Sequence, residues 1–221
     1  MLHDYRLFFK QYVRRFRDTG AIAPSSRWLA KALARYVGCQ RGPRSVLEVG
    51  PGTGAVTRQI VERLGRDDRF DLVEVNDQFV AHLRGRFRDE PAFAAVADRV
   101  TIINGPLEEL RREHKYDAIV SGLPLNNFAV ADVEQILAAF GELLAAGGTL
   151  SFFEYVAVRP ARAAVSGRAD RRRLRGIGRV LTNTLNGNEI RRDIVWPNLP
   201  PAWVHHVRFN LPVVPILPIL E

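Results

Sequence analysis

The chain has 221 residues, 47% apolar and 25% charged, a composition that suits one larger globular domain or two small ones and excludes a disordered chain or a coiled coil. No window approaches the roughly 18–20 apolar residues needed to cross a bilayer, and a single cysteine, Cys39, leaves no disulfide framework or multi-cysteine zinc site, so a reducing, cytosolic setting without a metal is expected. The net charge of +8 is segregated, an acidic centre (45–154) between Arg-rich flanks (1–44 and 155–208), which points to a polyanionic partner: nucleic acid or an anionic membrane surface.

Segment 2–18 has a helical period. Leu2, Tyr5, Phe8, Phe9, Tyr12, Val13 and Phe16 share one arc, and Lys10, Arg14 and Arg15 lie on the remainder. Its mixture of arginine and aromatic residues has no separate apolar core, so it does not read as a signal peptide. A second helix is expected over Arg27–Val37, capped by Ser25 or Ser26 and stopped by Gly38. These two helices form an N-terminal unit, 1–44, for membrane binding or for covering a site. The main domain is expected over 45–221.

From Ser45 short apolar runs alternate with helical stretches. Strands are predicted at 45–50, 70–75, 99–104, 116–122 and 149–156, with helices near 55–64, 78–88 and 130–144. Such alternation predicts an α/β fold with a mostly parallel sheet covered by helices on both faces. The pattern breaks after Arg159 with a basic, helical stretch, an insertion over about 159–188. Two further strand-like runs, 189–196 and 202–209, bring the expected sheet to seven strands. His205 and His206 sit on the last run, read as an edge strand, where alternate residues face opposite ways. The tail has Pro212, Pro215 and Pro218 three apart, the polyproline II period.

The chemistry is concentrated at VLEVGPGTG (46–54). Glu48 lies on a strand, and Gly50, Gly52 and Gly54 follow at alternate positions before a helix. Such a turn lets a ligand lie against bare backbone near the helix N-terminus. Glu74, twenty residues past Gly54, ends the second strand, where a carboxylate accepts both hydroxyls of a ribose.

These residues, with a fourth strand leading into a proline-containing loop, resemble the class I S-adenosylmethionine-dependent methyltransferases. The resemblance implies a Rossmann-like fold and S-adenosylmethionine as cofactor. It places Gly50, Gly52 and Gly54 at the methionine part, Glu48 at its ammonium, Glu74 at the ribose and Asn76 toward the adenine. Pro106 stands where the family commonly has an acid, leaving adenine to Leu107 and backbone groups. Ser121 and Leu123 would complete the cofactor site.

GAIAPSSRWLA (20–30), SGLPLNNF (121–128) and WPNLPPAWV (196–204) further resemble the bacterial phospholipid N-methyltransferases, relatives of the ribosomal RNA adenine dimethyltransferases. In the RNA enzymes the fourth strand leads into Asn-[Ile/Leu]-Pro-[Tyr/Phe], whose aromatic stacks on the target base. Here the tetrad is Gly122-Leu123-Pro124-Leu125, and leucine offers no π-face. The expected function is N-methylation of a lipid amine, on phosphatidylethanolamine or an aminolipid such as ornithine lipid; the alternative is an RNA adenine N6-methyltransferase.

The amphipathic segment 2–18 has the composition of an interfacial helix, with Phe8, Phe9, Lys10, Arg14 and Arg15 as lipid contacts. In the insertion, Ile177, Val180, Leu181 and Leu185 suggest a second interfacial helix, with Arg172 and Arg175 at the headgroups. Methyl transfer to an amine needs a proton acceptor, for which Ser121, Glu154, Tyr155 and Tyr12 are the candidates. The expected partner is an anionic membrane surface rather than nucleic acid, for a monomer bound peripherally to the cytoplasmic face of the cell membrane.

Overall fold

The computed structural model describes residues 26–39, 42–110, 114–156 and 167–209. The segment 2–18, the start of the insertion and the proline-rich tail lie outside the described residues. Seven strands form one sheet: β1 (Ser45–Val49), β2 (Arg69–Glu74), β3 (Val100–Asn104), β4 (Tyr116–Ser121), β5 (Leu144–Tyr155), β6 (Glu189–Val195) and β7 (Ala202–Val207). Their spatial order is β3-β2-β1-β4-β5-β7-β6. Neighbours from β3 to β5 pair in parallel, while β7 runs antiparallel to both β5 and β6. The Rossmann-like, seven-stranded, mostly parallel sheet expected from the sequence is therefore present.

Helices cover both faces: α1 (Arg27–Leu33), α2 (Ala55–Val61), α3 (Asp77–Asp89), α4 (Pro91–Ala94), α5 (Val130–Leu143) and α6 (Arg168–Leu185). Central strands read as near-continuous apolar runs because helices bury them from both sides. One core gathers Leu47, Val49, Phe152 and Leu150 under α5 and α6. The other gathers Val46, Phe70, Val120 and Phe153 under α1, α2 and α3.

Sequence chemistry sets the helix ends. Ser26 caps α1 by accepting the Leu29 N–H at 3.2 Å. Asn76 caps α3 by accepting from Gln78 at 2.9 Å and Phe79 at 3.4 Å. Glu90, preceding Pro91, leaves the helical region and ends α3. Four of the seven residues of α1 are buried, so this part of the 1–44 segment packs into the same core as the sheet.

Two expectations are corrected. The histidine strand is interior, because β7 inserts between β5 and β6. His206 is wholly buried, its Nδ1 2.8 Å from Ser151 Oγ and its Nε2 3.3 Å from Asp193, with Tyr36 against its ring; burial lowers its pKa to about 4. The apolar face of α6 does not meet lipid: Ile177 and Leu181 are buried in the first core, and Val180 and Leu185 pack against it. Its exposed face carries Arg168, Arg172, Arg175 and Arg179, spaced four, three and four apart in one stripe.

Candidate active site

Parallel strands end together, so their connections gather at one margin of the sheet, the carboxyl edge. The glycine turn leaves β1 there, with Gly50, Gly52 and Gly54 all at positive φ (70°, 56° and 82°). The three do different work. A Cβ on Gly50 would lie 2.7 Å from Leu123, and one on Gly54 2.6 Å from Arg86 and 3.0 Å from Leu83. Among the described residues, a Cβ on Gly52 would meet nothing within 4 Å. Gly50 and Gly54 therefore let the turn pack on its own protein, and Gly52 presents the face open to a ligand.

Glu74 is buried and already holds this turn. Its Oε2 accepts the Gly52 N–H at 3.1 Å and its Oε1 the Asn76 N–H at 2.9 Å. Burial raises its pKa, and these backbone donors partly offset the rise. Glu74 lines a small cleft with Val49, Gly50, Val73, Val75, Leu107 and Leu123. The sequence-predicted Gly50, Glu74, Leu107 and Leu123 are thus brought together. Asn76 stands beside them, with its side-chain oxygen committed to the α3 cap.

Glu48 lies behind the turn, next to last in β1 and flanked across the sheet by Leu72 and Val120. It is fully buried, and burial pushes its pKa up to about 8; the adjacent Thr57 hydroxyl partly offsets the rise. Among the described residues, neither Glu48 oxygen has a hydrogen bond of ordinary geometry, and neither has Thr57 Oγ1. A buried carboxyl in this state carries its proton at neutral pH and gains by meeting a cation.

The remaining candidates lie on β4, its exit and β5. Ser121 is buried, its Oγ turned back to accept the Leu123 N–H at 3.3 Å. Leu125, the last residue of the β4-exit tetrad, is buried in the core. Ser151 pairs with Val120, which brings Glu154 level with the exit from β4. Glu154 lies on the same sheet face as Phe152, the face that lines the cleft, with its side chain 13% exposed. Its Oε1 is 3.7 Å from Nε2 of the buried His205, whose Nδ1 is 2.7 Å from Glu189. Tyr155 falls on the opposite face, against Phe153, where burial raises its pKa. Tyr12, Phe8, Phe9, Lys10, Arg14 and Arg15 lie outside the described residues; Arg172 and Arg175 are exposed on α6.

Two clamps escape a sequence reading. Arg86 of α3 donates through Nη1 to the carbonyls of Thr53 and Gly54, each at 2.9 Å. Glu90 grips the same guanidinium at 2.6 Å, and the Phe93 ring lies beneath it. Arg173 of α6 donates to the carbonyls of Asn126 at 2.9 Å and Phe128 at 2.7 Å while Asp170 holds it from the side. The first fixes the glycine turn, the second the loop after β4. The only sequence signal was a surplus of arginine, which does not say which guanidinium meets which carbonyl.

Comparison with known proteins agrees with this geometry. Residues 47–150 match a family described as methyltransferase domain. The chain is 29% identical over 150 residues to an ornithine lipid N-methyltransferase of Singulisphaera acidiphila, covering 68% of this chain and 77% of that protein. It is 35% identical over 86 residues to the ribosomal RNA small subunit methyltransferase A of Geobacter sulfurreducens, covering 39% of this chain and 27% of that one. Among solved structures, an O-methyltransferase of Streptomyces achromogenes involved in tomaymycin synthesis, in complex with SAM, superposes with a TM-score of 0.61 at 17% identity, covering 88% of this chain and 86% of that one.

Proposed function

This chain is a class I S-adenosylmethionine-dependent methyltransferase, and we propose that it methylates the amine of a lipid headgroup at a membrane surface. The described residues fit the cofactor: an open backbone face at Gly52, a carboxylate at Glu74 suited to ribose hydroxyls, apolar walls at Val75 and Leu107, and at Glu48 a buried carboxyl with only the Thr57 hydroxyl beside it, able to meet an ammonium. When bound, S-adenosylmethionine supplies an electrophilic methyl group that passes in line to the acceptor nitrogen as the carbon–sulfur bond breaks. The protein's part is mainly alignment, which is worth roughly 7–11 kcal/mol at best.

Glu154 carries the reading. A carboxylate level with the exit of β4, on the face that lines the cleft, draws an acceptor bearing an ammonium. By taking one proton it leaves the nitrogen the lone pair that displacement requires. The likeness to an ornithine lipid N-methyltransferase supports a lipid amine, of ornithine lipid or phosphatidylethanolamine. Leu125, buried where the RNA enzymes present an aromatic, argues against a flipped adenine. In this reading the protein works as a monomer at the cytoplasmic face of the membrane, drawn there by its basic flanks.

The test is lipid mass spectrometry after expression in a host lacking methylated aminolipids, beside a Glu74→Ala control. Aminolipids carrying one, two or three added CH2 units, absent from the control, are expected. An unchanged lipid spectrum together with newly methylated adenine in ribosomal RNA would overturn the reading.

A further inference from the structure

We propose that the β6–β7 turn, Trp196 to Pro201, together with Trp28 of α1, is the part of the protein that inserts into an anionic bilayer, holding the active-site cleft against the lipid surface. This rests on the lipid reading above and names the surface that brings that site to its substrate.

The turn is placed by the sheet. Because β7 runs against β5, the first residue of β7 lies at the carboxyl edge: Ala202 pairs with Tyr155 on one side and Val195 on the other. Trp196 and Leu199 therefore project from the same margin as the glycine turn and Glu154. They are 66% and 88% exposed, and Trp28 is 46% exposed. Large apolar side chains gathered in this way on the margin that carries a binding cleft mark a contact surface.

The turn is also built to be stiff. Asn198 is buried inside it, donating to the Pro200 carbonyl at 2.7 Å and accepting the Ser26 N–H at 3.2 Å. Pro201 accepts the Val156 N–H at 2.8 Å. These bonds tie the turn to the start of α1, so Trp28, two residues beyond Ser26, belongs to the same corner. A fixed loop presents its side chains without a further ordering cost on contact.

Charge identifies the occupant. Arg27 covers the Trp28 ring at 4.8 Å. Across the β4 exit, α6 is anchored by Arg173 to Asn126 and Phe128, and its outer face carries the Arg168, Arg172, Arg175 and Arg179 stripe. An indole at a membrane interface keeps its ring in the acyl boundary and its N–H in the headgroups, and guanidinium groups pair with lipid phosphates. The tryptophan and leucine tips share this margin with Arg27 and with the exposed Arg168 and Arg172 at the start of α6, a combination that matches an anionic bilayer.

The experiment uses the purified full chain and vesicles of phosphatidylcholine with or without phosphatidylglycerol, some carrying brominated acyl chains. In a Trp28→Phe/Trp203→Phe background Trp196 is the sole tryptophan, and its emission is expected to shift to the blue and be quenched by the brominated, anionic vesicles. A Trp196→Ser/Leu199→Ser variant of the wild-type chain is expected to bind these vesicles about tenfold more weakly, about 1.4 kcal/mol, with unchanged S-adenosylmethionine affinity. Overturning results are a Ser/Ser variant that sediments with vesicles like the wild type, an unquenched Trp196 on a vesicle-bound chain, or a wild type that ignores anionic vesicles. The last two would mean that another segment or a protein partner occupies this corner. The lipid reading fails on a different measurement: a chain that inserts Trp196 yet produces no methylated lipid keeps this inference and loses that one.

Discussion

Gly122 and Gly50 meet backbone to backbone: a Cβ on Gly122 would lie 2.5 Å from the Gly50 carbonyl oxygen. The Gly122 N–H also bonds the Val49 carbonyl at 2.8 Å, so the glycine turn and the β4 exit are fastened at one point. No side chain can rotate out of such a contact. Gly122→Ala is expected to cost about 1–3 kcal/mol of stability and to reduce cofactor affinity by at least tenfold. Gly85→Ala, in the interior of α3 with only Arg88 nearby at 3.9 Å, is expected to gain up to about 1 kcal/mol with affinity intact. Urea denaturation and calorimetry of both variants check this.

Glu48 makes stability and binding pull in opposite directions. Its folded pKa is raised to about 8 from 4.5. Between those values the unfolded chain releases the proton that the fold retains. Stability therefore falls as pH rises through this window, by up to about 1.4 kcal/mol per unit. Glu48→Gln is expected to be more stable than the wild type at pH 7–8, the difference vanishing toward pH 4.5; each kcal/mol appears as about 2–4 °C in the melting midpoint. The same variant is expected to bind S-adenosylmethionine more weakly. Titration in buffers of different ionisation enthalpy should show proton release on binding near pH 7 for the wild type and none for the variant.

Arg173 positions the loop after β4 without touching the cofactor cleft. Arg173→Ala is expected to leave S-adenosylmethionine affinity within about twofold, yet to lower kcat/KM for the proposed lipid acceptor by about tenfold or more, near 1.4 kcal/mol. Arg173→Lys should recover little, because a point ammonium cannot hold two carbonyls and a carboxylate in one plane. Equal losses in cofactor affinity and turnover would mean that the helix supports the fold alone.

The βα units were legible because their cues are local. Apolar runs bounded by Gly50, Gly54 and Gly122 place β1 and β4, and Glu74 marks the end of β2 one motif-length later. What escaped depends on distant neighbours. His206 reads as an edge residue until Ser151, 55 positions away, supplies its hydrogen bond. The stripe Ile177, Val180, Leu181 and Leu185 looks the same whether it faces lipid or a protein core, because amphipathicity records a boundary and not the medium beyond it. Asn76 carried a cap signature, overshadowed by its position beside Glu74. The separate duties of Gly50, Gly52 and Gly54 emerge only once Leu123 and Arg86 are in place.

The reversed direction of β7 divides the labour along the chain. Every described residue lining the cleft precedes Pro124, whereas α6 and the β6–β7 turn follow Tyr155. Grip on the donor and choice of what receives its methyl group would then fall to separate stretches of chain, so that one can vary while the other stays as it is.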